Sequence, residues 1–316
     1  MPHILITGAG GFLGQDLAVA LLKADPSLDL TLTDIHEPSK PPSSSTVTSL
    51  ALNLTDASAV AKLLEPSYDA VYLLHGLMSG GAEANLELGW TVNFDSHRII
   101  LDTLRKSHPG TKVIFPSSLA VYGPQQQTTL VSETTVPQPQ SSYGAQKLMI
   151  ETYLNDFSRR GLLDGRVVRL PTIIVRPGAP SAAASSFCSA IIREPVAGVP
   201  TTLPVPKSLA LWVCSPTTVI ENLIRIKDVP SSKFGIWRTV NLPGITVTVQ
   251  EMLDALRDIR GEDALKLIKD EHDAKIEGIV GSWPARSETS RADGLGMKAD
   301  SGLIENIKTF VARYGQ

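Results

Sequence analysis

Tyr143 and Lys147 are the residues whose types and spacing most directly suggest chemistry. They stand four positions apart in a segment whose pattern predicts a helix over Tyr143–Arg159, so both side chains should lie on one helix face. A phenol has an ordinary pKa of about 10, which is too high for a base at neutral pH. A neighbouring ammonium group favours the phenolate and should lower that pKa. The pair therefore predicts a general base that could take the proton from an alcohol during its oxidation.

A glycine-rich segment near the start of the chain supplies a second signal. A predicted strand leads into Gly8–Gly14, which is followed at once by a predicted helix. Gly8 would permit the tight turn, Gly11 would let the backbone approach a pyrophosphate, and Gly14 would let helix and strand pack closely. The helix N-terminus would favour the anion. The pattern predicts a dinucleotide site, with a nicotinamide cofactor as hydride acceptor. Two apolar residues of the same loop are expected at this site: Phe12 and Leu13.

The residue that should select the cofactor is Asp34, at the end of the second predicted strand and 20 residues beyond Gly14. A carboxylate at this place accepts hydrogen bonds from the adenosine ribose and repels a 2′-phosphate. No arginine follows Asp34 before Lys40. The sequence therefore predicts NAD rather than NADP.

Short apolar runs alternate with longer amphipathic ones over the first half of the chain, which is typical of βα units and a parallel sheet. The predicted strands are His3–Thr7, Asp29–Thr33, Thr46–Ala51, Ala70–Leu74, Lys112–Pro116, Arg166–Pro171 and, later, Thr239–Leu242. The predicted helices are Leu13–Lys23, Ser58–Leu64, Leu86–Lys106, Tyr143–Arg159, one beginning near Pro216, Thr246–Ile259 and Leu303–Tyr314.

This order of elements predicts an α/β fold, a Rossmann-type doubly wound parallel sheet with a small C-terminal substrate-binding region. We expect an NAD-binding domain over residues 1–171, with returning elements around 207–244. A smaller substrate-binding region would comprise residues 172–206 and 245–316. Further cofactor contacts are expected where strands end, at Leu74, His75 and Gly76 and at Pro171 and Thr172. His75 could equally be a packing histidine.

Composition narrows the possible partners of the chain. The 316 residues include 29 basic and 32 acidic side chains, which leave no surplus of positive charge for nucleic acid or anionic membranes. The two cysteines form neither a disulfide framework nor a metal-ligand cluster, and we predict no metal. No secretory or transit pattern opens the sequence and no run approaches membrane-span length, so a cytoplasmic location is expected.

The segment Ser117–Gly123 strongly resembles the serine-bearing segment of the extended short-chain dehydrogenase/reductase family, and the spacing of the three glycines resembles that superfamily too. The resemblance implies that Ser118 is catalytic, 25 residues before Tyr143. It implies that Lys147 also binds the nicotinamide ribose. It further suggests a homodimer formed through the helices at 86–106 and 143–159. The resemblance adds three supporting cofactor-site residues: Asn53 and Leu54 at the adenine, and Asn93 behind the cofactor loop.

Several segments resemble the D-erythronate dehydrogenase group of that family: Ser141–Lys147, Ser142–Phe187, Ile191–Gly198, Val240–Gly244 and Ile279–Arg286. Members of the group oxidise a four-carbon sugar acid at C2 to the 2-keto acid with NAD. The resemblance implies a small-molecule substrate whose carboxylate must be held beside the hydride path. Arg176 and Arg193 are candidates, although either could instead be a structural ion-pair residue. Candidate partners for the substrate hydroxyls are Ser79, Ser185 and Ser186.

Other functions remain open at this stage. A nucleotide-sugar epimerase or a biosynthetic carbonyl reductase would use the same serine, tyrosine and lysine. Dehydration is disfavoured, because dehydratases carry a Thr-Asp-Glu type segment where this chain has Ser118-Leu119-Ala120. A dinucleotide-binding regulatory protein is the non-enzymatic alternative, and such relatives typically lose the tyrosine or the lysine.

Overall fold

The computed structural model describes residues 1–42, 46–181 and 183–315. The strands within these residues are β1 (His3–Thr7), β2 (Asp29–Asp34), β3 (Val47–Ala51), β4 (Ala70–Leu73), β5 (Lys112–Ser118), β6 (Leu130–Val131), β7 (Asp164–Leu170), β8 (Thr172–Ile173), β9 (Thr201–Leu203), β10 (Ala210–Cys214), β11 (Thr239–Asn241), β12 (Ile245–Thr248), β13 (Ile268–Asp270) and β14 (Arg286–Ser287). The helices are α1 (Phe12–Ala24), α2 (Ala57–Leu63), α3 (Ser79–Ala84), α4 (Leu86–Trp90), α5 (Ser96–Ser107), α6 (Ser142–Arg159), α7 (Ser186–Val196), α8 (Pro216–Asp228), α9 (Val249–Arg260), α10 (Glu262–Leu265), α11 (Ala274–Val280), α12 (Ser290–Gly294) and α13 (Leu303–Tyr314).

A large sheet organises the molecule and confirms the predicted doubly wound fold. In the described part of the chain it has seven strands in the order β11-β7-β5-β4-β1-β2-β3, and every neighbouring pair is parallel. The connections run in opposite directions from β1 and β4, which makes the crevice at their carboxyl ends a topological switch point. The predicted ligand loops, after Thr7 and after Leu73, both open into this crevice.

Helices cover both faces of the sheet. The apolar sides of α1 and α8 pack on one face, and those of α2, α5 and α6 pack on the other. A third apolar core joins α7, α9 and α13 to the small sheet β12-β10-β8. Burying the apolar side chains of both sheet faces is the main stabilising contribution to such a layered fold.

The chain leaves the large sheet at Pro171, between β7 and β8, which coincides with the predicted boundary at residue 171. Of the expected returning elements, β11 rejoins the large sheet beside β7, whereas β10 belongs to the three-stranded sheet. The division into two domains stays a prediction.

Two predicted helices differ from the structure. The segment predicted as one helix over Leu86–Lys106 contains a wider π-helical turn over Thr91–Asp95, between α4 and α5. The predicted helix Thr246–Ile259 is wrong at its start, because Ile245–Thr248 pairs with β10 as strand β12 before α9 begins. Thr248 then closes that helix end with a capping box to Glu251.

Two searches of the described residues concern metals and membranes. No group of three or more His, Cys, Asp or Glu side chains there is arranged to hold a metal ion. Among the same residues, no helix combines the length and the apolar character needed to cross a membrane.

Candidate active site

A cavity of about 790 Å³ opens at the carboxyl ends of β1 and β4. It receives residues from the predicted cofactor loops, from the end of β5, from α6 and from the segment after Pro171. The predicted site residues that line it are Gly8, Gly11, Phe12, Leu13, Gly14, Asp34, Asn53, Leu54, Leu74, His75, Gly76, Ser79, Ser118, Tyr143, Lys147, Pro171, Thr172, Arg176, Ser185, Ser186 and Arg193. Asn93 is the predicted residue that is absent from this lining.

The glycine turn has a shape that fits a dinucleotide. Gly8 has a φ of +68°, and a Cβ there would meet the His75 backbone nitrogen at 2.4 Å. A Cβ on Gly14 would meet the Ala9 Cα at 2.6 Å, which explains the close packing of α1 on β1. A Cβ on Gly11 would contact the Gly8 carbonyl oxygen of the same turn at 3.4 Å, which is an ordinary contact distance, so this backbone is open to the cavity. Gly11 is also the N-cap residue of α1 and has no side chain to accept hydrogen bonds from the first backbone N–H groups of the helix. These N–H groups could therefore bind a phosphate.

The adenosine end of the cavity contains Asp34, Asn53 and Leu54. The Asp34 carboxylate accepts hydrogen bonds from the backbone nitrogens of Gly10 at 3.0 Å and Ile35 at 2.7 Å, so it is held at the cavity edge. The Asn53 side-chain oxygen accepts from Thr55, which fixes the turn after β3. These residues fit the adenosine half of a nicotinamide dinucleotide.

Tyr143, Lys147 and Ser118 meet at the opposite end of the cavity. Ser118 ends β5, where its hydroxyl accepts a hydrogen bond from the Ala120 backbone at 3.2 Å and lies near enough to the phenol of Tyr143 to act on its pKa. The Lys147 Nζ donates to the Pro116 carbonyl at 2.8 Å and lies 5.7 Å from the centre of the Tyr143 ring. The four-residue spacing on α6 therefore places both side chains toward β5, as predicted.

Burial dominates the electrostatics of this trio. It raises the pKa of Tyr143 to about 12, against the opposing effects of the hydrogen bond from Ser118 and the positive charge of Arg176. It lowers the pKa of Lys147 to about 8, although the charge of Glu151 acts to raise it. In the chain by itself the pKa of Tyr143 is thus not lowered, because desolvation outweighs the charge of Arg176. The predicted lowering by Lys147 together with a bound nicotinamide stays a prediction.

His75 has the packing role that the sequence left open. Its Nδ1 is 2.7 Å from the Thr7 hydroxyl and its Nε2 is 2.9 Å from the Ser96 hydroxyl. Its ring stacks on His97 with centroids 3.9 Å apart. Burial lowers the pKa of His75 to about 3, with a smaller effect from the charge of Lys147. The imidazole is therefore neutral at physiological pH and braces the end of β4 beside the cofactor loop.

Asn93 supports the cavity from behind. It lies in the π-helical turn, where its side chain accepts from the Leu77 nitrogen at 2.7 Å and donates to the Leu77 carbonyl at 3.0 Å. It also donates to the side-chain oxygen of Gln146 at 2.8 Å. Leu77 lines the cavity, so Asn93 fixes the shape of this wall, and wide turns of this kind recur at functional sites.

The two candidate arginines differ in their partners. Arg193 donates to the Arg176 carbonyl at 3.0 Å and forms an ion pair with Glu194 at 2.6 Å. Among the residues that the structure describes, the Arg176 guanidinium makes one long contact, 3.5 Å to the Ser181 hydroxyl, and its other terminal nitrogen is buried without a hydrogen-bond partner. Burial lowers the pKa of Arg176, which indicates a cation without a carboxylate beside it. Of the two candidate arginines, Arg176 is the one without an ion pair among the described residues.

The candidate serines are not equivalent. The Ser79 hydroxyl accepts from the Ala184 nitrogen at 3.2 Å, and the Ser186 hydroxyl accepts from the Ser181 nitrogen at 3.0 Å. Ser185 is buried and also lines the cavity. All three serines line the cavity, and a contact of any of them with a substrate hydroxyl stays a prediction.

Some cavity residues were not predicted from sequence. Trp283 reaches the cavity from the C-terminal region, 140 positions beyond Tyr143 (283 − 143), and no local pattern marks it. Thr91, Val92 and Ser96 reach it because the wide turn rotates this helix. Glu151 does not line the cavity, but it lies one turn beyond Lys147 on α6. This spacing could have identified it as a residue that faces the same side of the helix as Lys147.

Comparison with known proteins is consistent with this geometry. Residues 4–208 match the model of the NAD dependent epimerase/dehydratase family. The chain is 43% identical over 310 residues to the D-erythronate dehydrogenase of Haemophilus influenzae, covering 98% of each chain. It is 41% identical over 322 residues to the D-erythronate dehydrogenase of Cupriavidus necator, covering 99% of each.

Solved structures show the same fold over the whole chain. A nucleoside-diphosphate-sugar epimerase from Agrobacterium tumefaciens superposes with a TM-score of 0.91 at 36% identity, covering 100% of this chain and 95% of that one. The holo form of a GalE-like L-threonine dehydrogenase from Cupriavidus necator superposes with a TM-score of 0.87 at 26% identity, covering 99% of each. The chain therefore belongs to the NAD-dependent epimerase/dehydratase family of extended short-chain dehydrogenases/reductases and is an oxidoreductase that uses a nicotinamide dinucleotide.

Proposed function

We propose that this enzyme oxidises the C2 hydroxyl of D-erythronate, or of a similar short sugar acid, to the 2-keto acid with NAD. The names of two relatives that match nearly the full chain at 43% and 41% identity support this activity. The observation that carries it is the guanidinium of Arg176, which has no ion pair among the described residues and lies in the same cavity as Tyr143 and Ser118.

Arg176 supports a carboxylate substrate for a physical reason. A buried cation without a partner is costly, and a bound carboxylate would offset that cost through charge-assisted hydrogen bonds. The charge of Arg176 acts on the phenol of Tyr143, so the two groups lie within electrostatic reach. In a 2-hydroxy acid the reacting hydroxyl is on the carbon next to the carboxylate. A carboxylate held at Arg176 would therefore bring the C2 hydroxyl toward Tyr143, while Ser185 could receive a more distant hydroxyl.

The remaining roles follow from the positions of the side chains. Tyr143 takes the proton of the C2 hydroxyl, and Ser118 donates a hydrogen bond to the same oxygen and orients it. Lys147, held by the Pro116 carbonyl, keeps a positive charge beside the phenol and offers a donor to a ribose hydroxyl. The oxidised nicotinamide would supply the hydride acceptor and a further positive charge when bound. Burial raises the pKa of Tyr143 to about 12 in the chain by itself, and this added positive charge would favour the phenolate.

NAD rather than NADP is part of the proposal. The carboxylate of Asp34 is held at the adenosine end of the cavity by two backbone nitrogens. Its negative charge would oppose a 2′-phosphate and accept from a free ribose hydroxyl. A cytoplasmic homodimer also remains our proposal, and the two free, buried cysteines are consistent with a reducing compartment.

Absorbance of NADH tests the activity directly. A panel would contain D-erythronate, L-threonate, longer aldonic and uronic acids, the neutral amide of D-erythronate and a nucleoside diphosphate sugar, each with NAD and with NADP. We expect the highest kcat/KM with a four-carbon acid and NAD. Conversion of the nucleoside diphosphate sugar without turnover of any acid would replace the proposal with the epimerase alternative.

Arg176→Met tests the carboxylate contact. Loss of a buried charge partner costs about 2–5 kcal/mol, so kcat/KM for D-erythronate should fall by at least about 30-fold. The rate with the neutral amide should change little, since the amide does not need the cation. Arg98→Met, on the exposed side of α5, is the control. An unchanged preference for the acid over the amide in Arg176→Met would contradict the assignment.

A further inference from the structure

A fully buried ion pair lies directly behind the catalytic trio. Arg169 on β7 donates to both carboxylate oxygens of Glu151 on α6, from Nε at 3.0 and 3.1 Å and from a terminal nitrogen at 2.7 Å. Both side chains are 0% exposed. The other terminal nitrogen of Arg169 is buried with no hydrogen-bond partner in the described part of the chain, and its guanidinium lies 4.7 Å from the centre of the Tyr122 ring.

This pair is connected to the end of β5. The hydroxyl of Ser117 donates to Glu151, and Ser117 directly precedes Ser118 on the strand. The carbonyl of Pro116, the residue before Ser117, accepts from Lys147. Consecutive residues of β5 therefore contact successive turns of α6: Pro116 holds Lys147, and Ser117 holds Glu151 one turn later. These two links fix the distance and rotation between the strand that carries Ser118 and the helix that carries Lys147.

The charges around Lys147 give the pair a second consequence. The groups that face Lys147 are the phenol of Tyr143 and the carboxylate of Glu151 from its own helix, with the neutral imidazoles of His75 and His97 from the opposite side. Glu151 is the anion of this set, and its charge opposes the effect of burial on the pKa of Lys147. Arg169 lies on the far side of Glu151 and holds its carboxylate in place.

Stability alone does not explain why a buried ion pair stands here. Desolvation of the two charges offsets most of their attraction, and apolar residues of similar volume often replace such pairs without loss of stability. We propose that Glu151, Arg169 and Ser117 form a positioning unit of the active site, which sets Ser118 and Lys147 at their working separation and keeps Lys147 positively charged. This inference rests on the proposed catalytic roles of Ser118 and Lys147, and it does not depend on which acid is the substrate.

The first test is Ser117→Ala, which removes one link and leaves the ion pair intact. We expect the variant to fold, with kcat reduced by about 10- to 100-fold and KM for the acid nearly unchanged, since small displacements of catalytic groups have effects of this size. A variant that folds and retains the wild-type kcat would overturn the role of Ser117.

The second test separates positioning from folding. The double variant Glu151→Leu with Arg169→Met removes both charges together, so neither is left buried alone. We expect a folded protein with a low kcat. The fall of kcat/KM at alkaline pH should begin at a lower pH than in the wild type. The loss of NADH affinity at alkaline pH, measured by fluorescence, should also begin at a lower pH. The direction follows because loss of the Glu151 carboxylate lowers the pKa of Lys147, and Lys147 then loses its charge at lower pH.

Arg166→Met is the matched control. Arg166 lies three residues earlier on β7, is 1% exposed and is paired with Asp164 at 2.7 Å, but its guanidinium donates to carbonyls in the last turn of α8. We expect it to lower stability without changing kcat or either pH profile. A double variant with wild-type kcat and pH profiles would overturn the proposal and leave the pair a purely structural feature. If D-erythronate is not a substrate of the wild type, the proposed activity fails but this inference can still be tested, because NADH affinity reports on Lys147 without any substrate.

Discussion

At the scale of single residues, the pKa of Tyr143 depends both on the protein around it and on what binds in the cavity. Buried at the end of the cavity, the phenol has a pKa of about 12 in the chain by itself, despite the nearby hydroxyl of Ser118 and the charge of Arg176. A phenol with this pKa is protonated at neutral pH, and a nearby positive charge such as that of an oxidised nicotinamide would favour its phenolate. The proposed base role of Tyr143 therefore depends on the bound cofactor.

Tyr143→Phe should abolish most of the activity without affecting cofactor binding. Loss of a positioned general base costs about 10²- to 10⁴-fold in kcat, and we expect NADH affinity to stay within about twofold of the wild type because the ring remains. Tyr153→Phe, on the same helix but outside the cavity lining and beside Asp102, is the control and should keep full activity. Full turnover by Tyr143→Phe would mean that another group takes the proton.

Sequence reasoning found residues whose roles depend on local spacing. Tyr143 and Lys147 were visible as a pair because a helix repeats every 3.6 residues, and the glycine turn was visible because strand, loop and helix are contiguous. Sequence reasoning did not predict that a terminal nitrogen of Arg176 has no hydrogen-bond partner among the described residues, or that Trp283 lines the cavity. Both depend on how segments distant in sequence pack around the cavity.

At the scale of elements, helix α6 approaches the turn after β5 closely because Gly144 has no side chain. A Cβ at this position would lie 2.4 Å from the Ala120 carbonyl oxygen. Since Gly144 follows Tyr143 directly, any shift of the helix start would displace the phenol from Ser118. The glycine therefore contributes to the site through backbone packing.

Gly144→Ala should lower both stability and activity. Overpacking of this kind costs about 1–3 kcal/mol of unfolding free energy, and kcat should fall with it because Tyr143 moves. Gly278→Ala, in helix α11 where a Cβ meets nothing within 4 Å, is the control and should leave stability unchanged or raise it by about 0.4–1 kcal/mol. Urea unfolding and steady-state kinetics measure both effects, and equal behaviour of the two variants would exclude a close contact at Gly144.

Strands and helices were predicted correctly where one sequence pattern, such as a short apolar run, was clear. The strands of the large sheet were found within a few residues because they are short, buried apolar runs between turn residues. The wide turn over Thr91–Asp95 was not, since its sequence is compatible with an ordinary helix and tertiary contacts of Asn93 favour the wider form. Strand β12 was merged with the following helix because its partner β10 lies 35 positions earlier (245 − 210).

At the scale of the whole molecule, the cavity joins two parts of the chain. The cofactor half comes from the loops of the large sheet, whereas Arg176, Ser185 and Trp283 come from beyond Pro171. Parallel-sheet topology made the first half predictable, because ligands bind where the strand order reverses. The second half has no such rule, and substrate choice therefore depends on packing that spacing alone does not define.

The expected homodimer gives a prediction at this scale. Met149 on α6 is 40% exposed, and Leu86 and Leu88 at the start of the neighbouring helical segment are also exposed. If these helices form the interface, Met149→Arg should convert the dimer to a monomer in sedimentation velocity, because an unpaired charge would be buried. Ile304→Arg, at 42% exposure on α13, is the control and should leave the dimer intact. A wild-type monomer, or a Met149→Arg dimer, would contradict this interface.

The most direct test of the account follows a single hydrogen atom. D-erythronate carrying deuterium at C2 would be incubated with the wild-type enzyme and NAD, and the reduced cofactor would be analysed by mass spectrometry. The account predicts that deuterium appears on the nicotinamide ring, with slower turnover than for the unlabelled acid. Reduced cofactor without deuterium, or no reduction of NAD by any short 2-hydroxy acid, would contradict hydride transfer from C2 at the Tyr143 site.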